Sequence, residues 1–184
     1  MRTRWGLFIL ALGLVGSVWA VLKEGKPIPP FETTLVDGKA ISVAIEKGAL
    51  VLRMKGAKGN EVVRPKALIL DFWATWCVPC HIASKQLAQI HQRYRQKGVV
   101  VLGISTDEDG RTSVLPFLKE HKTPYLIALD PKATVANRFR VEALPTIYVV
   151  NGKGVIIAAM EGVTDDPRDL GRAIERALKK AGVR

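Results

Sequence analysis

Acidic residues are scarce in this chain: 17 Asp and Glu stand against 28 Lys and Arg, a formal charge of +11, in 184 residues. Cysteine is scarcer still, at two. Two cysteines cannot build the disulfide framework of a small secreted scaffold, and a chain of this length has core enough without one. With no second cysteine pair and no His-x-x-x-His spacing, no tetrahedral zinc set can be assembled. The positive charge contains no block of five or more basic residues and no nucleic-acid motif accompanies it, so nucleic acid is not expected as a partner. Scattered basic charge instead suits acidic proteins or an anionic membrane surface. Internal repeats and low-complexity tracts are also missing. What remains, 48% hydrophobic and 24% charged, has globular proportions and fits one domain with an extension.

The extension is N-terminal. Arg2 and Arg4 precede an uncharged run from Trp5 to Leu22 that stops at Lys23-Glu24. Eighteen helical residues reach roughly 27 Å, enough to cross a bilayer core of about 30 Å. The basic flank is retained inside, and the rest is sent outward. Residues 1–23 are therefore expected to be a signal anchor, with a cleavable signal peptide ending at Ala20 as the alternative. Either exports the remainder, anchored or secreted, into a compartment where disulfides form. Residues 24–30, charged and proline-bearing, read as a tether.

Residues 31–184 read as the domain. Phe31 to Val43 alternates around Asp37-Gly38 and predicts a hairpin. Residues 49–63 predict another, with strands near Leu50–Met54 and Asn60–Val63. Ala67–Trp73 is an apolar run of strand length, followed by helical spacing over Cys77–Lys97 (Ala83, Leu87, Ile90, Tyr94) closed by Gly98, then an apolar strand Val99–Ser105. Strand, helix, strand at this length is a parallel unit, and continuously apolar strands imply a sheet covered on both faces. A helix follows Asp109, with Pro116 near its start or kinking it. Tyr125–Leu129 is a short strand, and Asp130-Pro131 is expected to open a short helix through Phe139 with Asp130 as its cap. Thr146–Val150 and Val155–Met160 flank the turn Asn151-Gly152-Lys153-Gly154. Asp166-Pro167 caps a last amphipathic helix.

Both cysteines sit in Asp71-Phe72-Trp73-Ala74-Thr75-Trp76-Cys77-Val78-Pro79-Cys80, at the junction of strand and helix. Three positions apart, they meet across one helical turn as dithiol or disulfide. Cys77 would face the free N–H groups and positive dipole end of the helix, which stabilise a thiolate. No Asp or Glu occurs between Asp71 and Asp107, so no carboxylate in the first turn offsets that field. Cys80, one turn in, is the more buried partner and would resolve a mixed disulfide. Pro79 fits a first turn, where its missing N–H costs nothing. A static disulfide closing so short a loop would contribute little to stability. Cys77-x-x-Cys80-His81 also spells the attachment pattern of a c-type haem. That would make the chain an electron carrier with His81 as axial ligand and Met160 or His121 opposite. The apolar strand feeding a parallel unit argues instead for thiol chemistry.

Asp-Phe-Trp-Ala-x-Trp-Cys-x-Pro-Cys resembles the active-site signature of thioredoxins. With the exported anchor and the hairpin at Phe31–Val43, the chain is most similar to the TlpA/ResA-like thioredoxins of bacterial envelopes, over roughly residues 28 to 181. The resemblance implies a thioredoxin-like α/β fold, a central mixed β-sheet flanked by helices with a β-hairpin extension. It also implies a redox-active Cys77–Cys80 pair working without a cofactor. Ala143-Leu144-Pro145-Thr146 matches the family's cis-proline loop, which packs beside the cysteines and pairs its backbone with the substrate. Leu144, Pro145 and Thr146, with Trp76 and Pro79, are thus expected to bind substrate. Asp71 takes the place of a carboxylate buried behind the second cysteine, where burial raises its pKa and lets it accept the Cys80 proton. Trp73 is expected in the core.

The chain departs from the family's pattern at Ala83, where an acidic residue is common, and at Lys85, where a proline is common. Asp71 is then left alone as proton relay. A third departure is the inserted segment 49–63, expected as a surface hairpin, with added edge strands or a partner contact as alternatives. The implied activity is reduction of disulfides in exported proteins, apocytochrome c among them, with electrons from a membrane thiol donor. A disulfide oxidase or isomerase would use the same residues.

Overall fold

The computed structural model describes residues 21–57, 59–162 and 166–184. Nine strands form a single mixed sheet: β1 Phe31–Leu35, β2 Ala40–Glu46, β3 Ala49–Gly56, β4 Gly59–Val63, β5 Ala67–Trp73, β6 Val99–Ser105, β7 Leu126–Leu129, β8 Thr146–Asn151 and β9 Ile156–Glu161, in the order β4-β3-β2-β1-β7-β6-β5-β8-β9. Helices α1 Val78–Tyr94, α2 Arg111–His121, α3 Thr134–Arg138 and α4 Pro167–Lys180 complete the domain. The expected hairpins, the central parallel unit and the thioredoxin-like mixed architecture are all present.

β5 sits at the centre, parallel to β6 and antiparallel to β8, and every one of its residues is buried. Its alternation divides two cores. Ala67, Ile69 and Trp73 face a cluster containing both cysteines and the buried sides of α1 and α4; Leu68, Leu70 and Phe72 face a second cluster with Phe31, Phe139 and Tyr148. Burial on both faces is why the strand reads as an unbroken apolar run.

Three expectations are corrected. The inserted segment is a hairpin but not a surface one: it adds edge strands to the sheet, the alternative reading. β3 pairs with β2 from Ala49 to Lys55, and Leu50, Leu52 and Met54 enter the second core, leaving only β4 as an exposed edge. The supposed tether is docked: Gly25 N–H donates to Ile156 O, Ile28 N–H donates to Gly154 O, and Ile28 is buried. Its polar sequence hid that backbone groups alone can bind it to a strand end. The helix expected from Asp130 begins instead at Thr134. The Asp130 carboxylate reaches inside it to accept from Ala136 N–H at 2.8 Å, so it caps from a turn earlier. Of the two places expected for Pro116, the interior of α2 is the one found, not the helix start.

Residues 1–20, which carry most of the apolar run, lie outside the described residues. Val21 and Leu22, at its end, are not helical and pack against the second core, and Leu22 N–H donates to the Tyr148 hydroxyl. Among the described residues no helix is long and apolar enough to cross a membrane.

Candidate active site

The C-terminal end of β5 delivers the chain to the start of α1 through Ala74-Thr75-Trp76, and Cys77 is the N-cap residue of that helix. Cys77 and Cys80 form a disulfide with Cα atoms 5.3 Å apart. The Cys77 sulfur accepts from Cys80 N–H at 3.3 Å, so it occupies the cap position where an anion is stabilised. The first turn of α1 contains no acidic residue to compete for that field, and Pro79 stands in it without an N–H to satisfy. Cys77 is 5% and Cys80 1% exposed, the expected order. Around them the surface is apolar: Trp76 is 70% exposed, Val78 68% and Ile82 36%. A large side chain left in water beside a reactive disulfide is suited to covering by a partner.

Asp71 lies on the β5 face turned toward the cysteine core, between Ile69 and Trp73. It is fully buried, its Oδ1 has no hydrogen-bond partner, and burial alone pushes its carboxyl pKa to about 7. Opposite it in register on β6 is Gly103, where a Cβ would meet the Ile127 side chain at 2.8 Å and Trp73 Nε1 at 3.0 Å. No side chain of that residue can therefore neutralise Asp71. Burial first and the nearby Asp71 carboxylate second hold the Tyr125 hydroxyl well above its usual range. The indole N–H of Trp73 is also buried without a partner. A carboxylate so placed binds a proton near neutrality and has no competing bond to break when it does.

The cis peptide is at Leu144-Pro145, as the resemblance implied. Thr146 starts β8 opposite Phe72, which brings this loop to the same end of the sheet as Cys77, and Leu144 packs against the cysteine core. Thr146 is buried, its hydroxyl donating to Ala143 O at 2.7 Å, so it shapes the loop from within. Pro145 O accepts from Gly162 N–H at 2.7 Å. Trp73 is in the core at 4% exposure and stacks obliquely on Phe117.

The sequence reading missed what holds the loop before Cys77. Thr75 donates its backbone N–H to both Asp107 carboxylate oxygens (3.1 and 3.0 Å) and its hydroxyl to Oδ1 at 2.5 Å. Ser105 Oγ donates to the same carboxylate at 2.7 Å. The Thr75 carbonyl is engaged from the other side by His81 Nε2 at 2.8 Å, and the His81 ring lies against Phe117. Thr75 is thus gripped at N–H, hydroxyl and carbonyl. A trace of this was visible: Asp107 is the acid that ends the acid-free stretch. Among the described residues no group of three or more His, Cys, Asp or Glu could hold a metal ion.

Comparison with known proteins follows the same lines. Thiol-disulfide oxidoreductase ResA of Bacillus thuringiensis is 27% identical over 141 residues, covering 77% of this chain and 71% of the relative. The thioredoxin-like protein YneN of Bacillus subtilis is 29% identical over 168 residues, covering 85% and 88%. Among solved structures, a protein assigned as thiol:disulfide interchange protein DsbE from Chlorobium tepidum superposes with a TM-score of 0.67 at 23% identity, over 87% of this chain and 98% of that one. At that identity the likeness establishes the fold. The AhpC/TSA family matches residues 25–159, from the docked segment before β1 to Ala159 within β9. On that span, which takes in both cysteines, Asp71 and the cis-proline loop, the chain belongs to the AhpC/TSA family.

Proposed function

We propose that this chain is a thiol:disulfide oxidoreductase that reduces disulfides of exported proteins. The observation that carries the reading is the Cys77–Cys80 disulfide capping α1, with the unpartnered Asp71 carboxyl buried on the same side of the sheet. In the dithiol form the Cys77 thiolate attacks one sulfur of the substrate disulfide. One substrate sulfur leaves as a thiolate and takes from solvent the proton that Cys77 gave up on ionising, and a mixed disulfide remains. Cys80 gives its proton to Asp71 and attacks the Cys77 sulfur, closing the enzyme disulfide and expelling the second substrate sulfur as a thiolate, which is protonated from solvent as Asp71 releases its proton there. Two electrons and two protons pass to the substrate, so the enzyme must be re-reduced, here by a membrane thiol donor. Trp76, Val78 and Pro79 form the docking rim. The Pro145 carbonyl is already taken by Gly162, so strand pairing with substrate falls to the residue before it, Leu144.

The relatives named ResA and the DsbE-like structure support the chemistry. The Val78-Pro79 dipeptide between the cysteines resembles reducing members of the fold, which favours reduction over oxidation or isomerisation. Apocytochrome c awaiting haem is the substrate this kinship suggests. The run from Trp5 would anchor the domain outside the cytoplasmic membrane. Release by cleavage after Ala20 is the other form, and intact mass of the membrane fraction distinguishes them. The haem-carrier alternative fits less well, since His81 Nε2 is committed to the Thr75 carbonyl.

The test is a redox titration of the full chain in dithiol/disulfide buffers, followed by fluorescence of Trp73 and Trp76. A midpoint of roughly −270 to −220 mV supports a reductase, and one near about −120 mV makes the chain a disulfide donor. Cys80→Ser is expected to trap substrate on Cys77; adducts that accumulate only with Cys77→Ser would reverse the two roles.

A further inference from the structure

The chain's excess positive charge is gathered at the end of the domain opposite the cysteines. β5 and β6 run in register from Ala67 and Val99 to Trp73 and Ser105, so Lys66 and Lys97-Gly98 lie at one end and the active site at the other. Lys66 N–H donates to Gly98 O at 2.8 Å. The β8–β9 turn joins them: a Cβ on Gly152 would stand 3.0 Å from Pro65 O, and Leu50 N–H donates to Gly152 O, bringing the Lys47-Gly48 turn alongside. The C-terminal end of α4 closes the group. Lys66, Lys153, Asn151 and Gly152 share with Ala181 and Gly182 a shallow depression of about 350 Å³. Lys47, Lys66, Lys97, Lys153, Lys180 and Arg184 are all exposed. In the segments 46–48, 64–66, 95–98, 151–154 and 179–184 the sole acid is Glu46, which Arg53 holds at 2.6 Å, and the docked segment 23–28 adds Lys23 and Lys26 against Glu24. The cysteine end is the reverse, with Asp107, Glu108 and Asp109 lining the hollow beside Trp76.

We propose that this basic end docks on the anionic phospholipid headgroups of the membrane, with a lipid phosphate between Lys66 and Lys153. The proposal rests on the reading that the apolar run carries the domain to a membrane. The segment following that run supports lipid over an acidic protein: Gly25 to Ile28 is hydrogen-bonded to this same end, at Gly154 and Ile156, and the run ends three residues before it, at Leu22, whose N–H donates to the Tyr148 hydroxyl midway along β8. Each cation near an anionic surface contributes roughly a five-fold gain in partitioning, screened within about a Debye length. Docking there has a functional consequence. α1 runs 17 residues from the cysteines to this end, roughly 25 Å at helical rise. The active site would then point away from the bilayer, toward proteins in the compartment, with the docked end fixing its orientation.

The full chain, in nanodiscs of phosphatidylcholine with and without phosphatidylglycerol, is acetylated and its lysines are mapped by mass spectrometry. Lys66, Lys153 and Lys180 are expected to label several-fold more slowly on the anionic discs and to recover in high salt. Lys85, near the cysteines on α1, should label equally on both. Charge reversal (Lys66→Glu, Lys153→Glu, Lys180→Glu) should abolish the protection of Lys97 without changing insulin reduction in solution. Equal labelling of the basic end on the two lipids overturns the proposal. Failure of the chain to stay with neutral discs overturns the anchoring alone. Retention on the anionic discs with the same lysines protected would then still support docking, and loss from both discs would end both readings.

Discussion

Two buried carboxylates lie near the cysteines, Asp71 within β5 and Asp107 just past the end of the neighbouring β6, and the molecule treats them in opposite ways. Asp107 accepts from Thr75 N–H, the Thr75 hydroxyl and the Ser105 hydroxyl. Asp71 is as buried, yet one of its oxygens meets no donor, and its pKa rises to about 7. Burial is common to both, so the difference lies in the donors around them. A carboxylate surrounded by hydrogen bonds is a structural brace; one deprived of them is a proton acceptor near neutral pH. The brace positions the loop bearing Trp76 and Cys77, and the acceptor lies on the face of β5 turned toward both sulfurs.

Opposite responses to mutation would sharpen the contrast. The largest effect is expected at Asp71. Its folded pKa lies above the ordinary carboxyl value, so the folded state holds the proton longer than the unfolded chain does. That stability is complete below about pH 4 and is lost as pH rises through about 7. The gap from 3.8 to about 7 corresponds to about 4 kcal/mol. Asp71→Asn should therefore stabilise the oxidised protein at pH 8 by up to about 4 kcal/mol and hardly at all at pH 4, as read by denaturant midpoints. The same variant should slow resolution of the mixed disulfide by about 100-fold and erase its rate limb near pH 7 in stopped-flow kinetics. Loss of activity without either pH signature would remove Asp71 from the mechanism.

Asp107→Ala is expected to move stability the other way, costing about 3 kcal/mol, because three donors lose their acceptor. If it proves neutral, the grip on Thr75 is not a brace. Thr75→Val removes the hydroxyl bond and keeps the N–H bond, and should cost about 1 kcal/mol with a measurable shift of the redox midpoint. At the bottom of the scale is the Glu46–Arg53 pair, a carboxylate with its partner in solvent. Arg53→Ala should leave the denaturation midpoint unchanged, as exposed pairs generally do.

Much of this was legible in the residues themselves. Continuous apolar runs located the central strands and helical spacing located α1, and the Asp37-Gly38 and Asn151-Gly152 turns located two hairpins. Cys77 and Cys80 were readable from their spacing at a strand-to-helix junction, Pro79 from its fit to a first turn, and Asp71 as a lone acid in an apolar run. The docking of Gly25–Ile28 was not readable, since it uses backbone hydrogen bonds to Gly154 and Ile156 that no side chain announces. Nor was the burial of β3, whose alternation resembles a surface hairpin until α3 and β1 are seen to cover the same core.

The sequence by itself determined the local chemistry: a dithiol pair at a helix start, a lone acid in an apolar strand, a proline loop before a strand and an excess of positive charge. These are properties of residue type and spacing along one stretch of chain. Only the tertiary structure decided how they combine. It set Gly103 opposite Asp71, so that no side chain from that position reaches the acid. It brought Asp107 across 32 residues to grip Thr75. It gathered Lys47, Lys66, Lys97, Lys153 and Lys180, from five separate segments, at the end away from the cysteines. Partners in these arrangements come from distant segments, and the electrostatics of a buried group depend on which of them arrive.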